Sequence, residues 1–154
     1  MRKTNWIENA YKGTNVHWAK SQTKIMEMLN QIGITDIRFT CLEDRFILEF
    51  MAKSNENSIP RALRIITPIK TTKNENPDKR NKELNIIHRM MFGHLKAKFI
   101  AVYRELAEFE AEFMAHLVIT DKNGKTTTMA EMILPQYEKN LEDKTVPRFL
   151  LGSN

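Results

Sequence analysis

The sequence predicts an α+β fold, and three observations carry that prediction. Apolar residues recur at helical spacing before residue 33 and again from residue 84 onward. Between those stretches, two short runs alternate apolar and polar residues with a period of two. Prolines at 60 and 68 frame a third apolar run, as befits the ends of a strand. With 154 residues and 42% apolar side chains, the chain can build one core, so 1–154 is expected to be a single domain.

The first fourteen residues hold Trp6, Ile7 and Tyr11 without a sustained period and read as a partly docked arm. Thr14 or Asn15 is placed to cap a helix carrying Trp18, Ile25, Leu29 and Ile32 on one face, with Gly33 as its C-terminal cap. Ile37, Phe39 and Cys41, then Phe46, Leu48 and Phe50, form a hairpin through Leu42-Glu43-Asp44-Arg45, with Cys41 inside its core. A third strand spans Arg61 to Thr67 with Leu63 and Ile65 inward, and residues 69–78 form a polar loop. A long helix enters through Pro77-Asp78 and runs from Lys79 to about Leu106. A second helical piece covers Glu108–Met114, and His116–Thr120 makes a short strand before the turn Asp121-Lys122-Asn123-Gly124. Thr128-x-x-Glu131 is a capping-box signature for a last helix through Tyr137, which Pro135 would bend or interrupt. The tail, 144–154, is apolar enough to dock. The expected architecture is an α-β-β-β-α core, a three-stranded antiparallel sheet with helices on one face, plus a C-terminal helix.

Several functional classes find no support in the residues. No run approaches 18 apolar residues, so no membrane partner is expected. The N-terminus lacks the apolar segment of a secretory signal, and one cysteine fits a reducing, cytoplasmic setting. There is no glycine-rich phosphate loop, and His17, His88, His94 and His116 never fall in H-x₃-H spacing. No cofactor, metal site or catalytic residue is therefore assigned. Glu105, Glu108 and Glu112 would share one face if the long helix continued, and there they would be either surface charge or Mg²⁺ ligands of a nuclease. His88 borders the apolar stripe as a core or boundary histidine, and Lys98, beside the same stripe, is expected to reach water along its stem.

Charge is the informative signal. Residues 61–104 hold 11 Lys+Arg against 3 Asp+Glu, a net of +8, whereas 105–143 have a net of −6. On the long helix, Leu84, Ile87, Met91, Leu95, Phe99, Val102 and Leu106 project to one side. Lys82, Arg89 and Lys96 project to the other at intervals of seven, with Lys79 and Arg104 near the same line. Two helical turns separate successive cations by about 10 Å, a plausible track for phosphates. Glu83 is the only carboxylate between residues 79 and 104. The outward sheet face adds Arg38 and Arg64 among Thr40, Ile47, Glu49 and Ile66, without an aromatic stacking platform. The leading expectation is a non-enzymatic nucleic-acid-binding protein, with strand type unspecified. The alternative is an interaction or assembly protein, pairing basic and acidic faces of successive copies or engaging a host protein.

The stretch from His94 to Tyr137 resembles a family of small phage and prophage proteins. The likeness rests on Lys96-Ala97-Lys98, then Phe109, Glu112 and Phe113, then Gly124, then Leu134-Pro135-Gln136. It implies origin in a mobile element and a role in the infected cell's cytoplasm, and it assigns no catalytic residue.

Overall fold

The computed structural model describes residues 9–71, 76–120 and 123–142. Helix α1 (Trp18–Gln31) leads into strands β1 (Ile37–Cys41), β2 (Arg45–Ala52) and β3 (Arg61–Pro68). The long helix α2 (Pro77–Tyr103) follows, then the short α3 (Phe109–Phe113) and a 3₁₀ turn (Met114–His116). Strands β4 (Val118–Thr120) and β5 (Thr126–Thr128) form a second sheet before α4 (Met129–Glu142). The fold is α+β. Its main sheet is antiparallel in the order β1-β2-β3, with Phe39 opposite Leu48 and Leu48 opposite Ile65.

Alternation along β2 decides which side becomes the core. Phe46, Leu48 and Phe50 are buried and point with Leu63 and Ile65 toward the helices. They pack on Ile25 and Leu29 of α1 and on Leu84, Ile87, Met91 and Leu95 of α2. The helical layer is pinned at its start, because the backbone N–H of Trp18 donates to Asn85 Oδ1 at 2.7 Å. Gly93 suits the middle of α2 because the Tyr11 hydroxyl lies 3.2 Å from where a Cβ would stand. Phe109 and Phe113 close the far end against Phe99.

The structure corrects several boundaries. His17, rather than Thr14 or Asn15, caps α1, its Nδ1 accepting from the N–H of Ala19 at 3.2 Å. Ile32 belongs to the cap and is exposed, while Gly33 takes the expected left-handed conformation at φ 82. Cys41 is exposed rather than inside the hairpin core, since it ends the edge strand β1. The long helix stops at Tyr103. Glu105 adopts φ 57, and the N–H groups of Glu105 and Leu106 bond back to the carbonyls of Val102 and Ala101, a Schellman closure. Leu106 therefore leaves the apolar stripe and is 80% exposed.

The last helix runs past Tyr137 and through Pro135 to Glu142. Proline leaves the Glu131 carbonyl without its helical donor, but on an exposed turn where water can serve. Strand β5, which the sequence does not announce, pairs with β4, and Leu117 bridges to Leu63. Residues 1–8 of the expected N-terminal arm, part of the 69–78 loop, Asp121-Lys122 and the whole docking tail lie outside the described residues. Among the described residues, no helix is long and apolar enough to cross a membrane.

Candidate nucleic-acid interface

The apolar side of α2 is taken up by the core, so its opposite side must face solvent. Asn76 caps the helix, its side chain accepting from the N–H of Lys79 at 2.8 Å, and Pro77 opens the first turn. Lys79, Lys82, Lys96 and Arg104 are exposed; Arg89 is half-buried, its guanidinium carbon 5.9 Å from the Phe92 ring centroid. Among the described residues, none of these five is in an ion pair. The helix has two carboxylates, Asp78 in its first turn and Glu83, and neither forms an ion pair with them. Glu83 instead accepts from the backbone N–H groups of Lys70 and Thr71 at 2.8 and 2.9 Å. Burial disfavours its charge, but these donors outweigh that and hold its carboxyl below the usual range.

Arg80, on the same helix, does something different. It is buried, and its guanidinium donates to the carbonyls of Leu42, Glu43 and Thr71 at 2.8, 2.6 and 2.8 Å. It ties the β1–β2 turn to the chain entering α2. Spacing does not signal this role, because Arg80 stands between Lys79 and Lys82 in a run of cations.

Arg38 and Arg64 do not join the helical row. They lie on the outer sheet face, with the sheet and the core between them and α2. There they line a cleft of about 640 Å³ with Thr40, Ile47, Glu49 and Ile66, the set that strand alternation predicts. Thr126, Thr127 and Glu131 supply another part of its lining. Glu49 accepts from Arg38 Nε at 2.7 Å and from Arg64 Nε at 2.8 Å. Burial opposes its ionisation, yet the two arginines hold its carboxyl below the usual range. One carboxylate thus already serves both guanidinium groups, which weakens their pull on an added anion. Arg45, in the same cleft, is paired with Asp44.

The acidic trio separates. Glu105 sits in the Schellman turn and Glu108 precedes α3, so with Glu112 they share no continuous helix face. Glu112 is engaged by Lys98, whose ammonium donates to its Oε1 at 2.8 Å and to its carbonyl at 2.6 Å. Lys98 therefore does not simply reach for water: it closes the α2–α3 junction, 5.4 Å from the Phe113 ring centroid. His94 and His116 do converge, with ring centroids 6.1 Å apart and edge-on. Among the described residues, however, no three His, Cys, Asp or Glu side chains gather as a metal site. His88 is a core histidine, as expected. Compared with known proteins, the chain matches no family model, no curated protein and no solved structure.

Proposed function

We propose that the chain binds nucleic acid through the solvent side of α2, as an accessory protein of phage or mobile-element DNA or RNA metabolism. One observation carries the reading. Four cations lie along one side of a 27-residue helix with Arg104 as its C-cap, and the only carboxylate between residues 79 and 104 is turned aside to backbone N–H donors. Fixed positive charge in excess of its local counter-charge, here Asp78 in the first turn, recruits phosphates and releases their condensed counterions. Contacts of this kind position a backbone and do not read bases, so the expected binding is tolerant of sequence. The likeness of residues 94–137 to phage proteins supplies the biological setting.

The test is a titration of labelled single-stranded and duplex oligonucleotides at two salt concentrations. Binding should fall steeply as salt rises, with a log–log slope of about −0.9 per phosphate neutralised on duplex and about −0.7 on single strands. Absence of binding to both at low salt would overturn the reading.

A further inference from the structure

Two apolar surfaces have no partner within the described chain. The first belongs to α4, where every residue from Glu131 to Leu141 is exposed. Ile133, Leu134, Tyr137 and Leu141 fall within about 100° of one another around this helix, and Leu134 is 53% exposed. The second is a groove of about 430 Å³ between α1 and the C-terminal half of α2. Ile32, Phe92, Phe99, Ile100 and Tyr103 give it an apolar lining, and Tyr103 is 82% exposed. Lys24, Lys96 and Glu27 are its charged members.

These surfaces cannot meet within one copy. The first turn of α4 stands at the outer sheet face, where Glu131 lines the cleft with Arg38 and Arg64. The groove lies beyond the sheet, in the helical layer. We infer that α4 of one copy docks in the α1–α2 groove of the next, an amphipathic helix laid into an apolar channel.

Length and charge both fit. The groove runs from Phe92 to Tyr103, about 16 Å of helix, and the apolar sector from Ile133 to Leu141 covers about 12 Å. The groove carries Lys24 and Lys96 against Glu27, a net of +1. Past the Glu131 of its capping box, helix α4 carries Glu138 and Glu142 against Lys139, a net of −1. It would meet Lys24 and Lys96 across the groove, with Arg104 one residue beyond its end. Exposed apolar residues grouped in this way mark interaction surfaces more often than bare solvent faces. The contact is head to tail, so it grows into a chain or closes into a ring. It leaves Lys79, Lys82 and Arg89 outside the groove and shares Lys96 with the proposed phosphate row, so its test is run without nucleic acid.

The experiment measures mass in solution, by sedimentation or light scattering, from low to several hundred micromolar. Reductant is kept present because Cys41 is exposed. One variant carries Leu134→Glu and Tyr137→Glu; the other carries Ile100→Glu and Tyr103→Glu. All four positions are exposed, so both variants should melt like the parent. Should either fail to, Leu134→Ser and Tyr103→Ser carry the same comparison. The parent's mean mass should rise with concentration, and each variant alone should remain a monomer. An equimolar mixture should form dimers and stop there, because each variant retains the surface that the other lacks. A parent that is monomeric throughout overturns the inference. So does a parent assembly that neither variant disturbs, or a mixture that fails to pair.

Discussion

Arg80 turns inward where Lys79 and Lys82 turn to water, and its hydrogen bonds make the difference measurable. Its guanidinium satisfies three carbonyls, those of Leu42, Glu43 and Thr71. Arg80→Met keeps most of the stem and removes the donors, leaving those oxygens to find water or go without. Hydrogen bonds to a charged group contribute about 1.5–3 kcal/mol, so the variant should lose about 3 kcal/mol. A lower urea midpoint with an unchanged slope would register it. His88 gives a pH dependence. Its ring lies 5.6 Å from that of Trp18 and 4.2 Å from that of Phe46. Nδ1 donates to the Leu84 carbonyl oxygen at 2.9 Å. Burial pulls its pKa below the ordinary 6.5, more than the Leu84 carbonyl raises it. Burial, and then the Lys98 ammonium, lower His94 and His116 as well. The unfolded chain takes up these protons near 6.5 and the folded chain only at lower pH. Stability is therefore full above the ordinary value and falls as pH drops from about 7.5 toward 5. Urea midpoints across that window should show the fall, and His88→Phe, which keeps a ring between Trp18 and Phe46, should make it smaller and leave the share of His94 and His116. The lowered carboxylates Glu49 and Glu131 lose their share only in more acid solution.

At the scale of the element, the start of α4 is held by a reciprocal pair. Thr128 Oγ1 accepts from the Glu131 N–H at 3.2 Å, and Glu131 Oε2 accepts from the Thr128 N–H at 2.8 Å. Thr128→Ala should cost about 1–2 kcal/mol, and Thr128→Ser should recover most of it, both read by thermal unfolding. This box was legible because both partners lie three residues apart in one local motif. The β1–β2 hairpin was legible for a similar reason, since its period of two sorts Phe46, Leu48 and Phe50 from Ile47 and Glu49 unaided. Strand β5 was not: Thr126, Thr127 and Thr128 carry no apolar alternation, and only pairing with β4 makes them a strand. The end of α2 was hidden for want of a glycine, because Glu105 itself takes the left-handed position. Cys41 shows a limit of alternation, which names a face but does not say where an edge strand runs out of cover. At the candidate site, spacing alone placed Lys82, Arg89 and Lys96 together. It could not reveal that Glu83 turns to Lys70 and Thr71, since that contact depends on how the loop returns to the helix.

Taken whole, the molecule sorts its charge by side. Within the sheet and at the α2–α3 junction, Arg38, Arg64 and Lys98 are compensated by Glu49 and Glu112. Along the outer side of α2 the cations have no ion-pair partner among the described residues. That asymmetry underlies the proposed function, and binding and folding of one variant test it together. In the Lys82→Ala/Arg89→Ala/Lys96→Ala variant, the two exposed lysine changes should each alter stability by no more than about 0.5 kcal/mol, and loss of the Arg89–Phe92 contact should cost about 0.5–1 kcal/mol. If the row grips a phosphate backbone, the folded variant should bind every oligonucleotide more weakly. Its log–log salt slope should be shallower than the parent's by about 3, one for each cation removed. A folded variant that binds as tightly as the parent, with the same slope, would contradict a phosphate-binding row on α2.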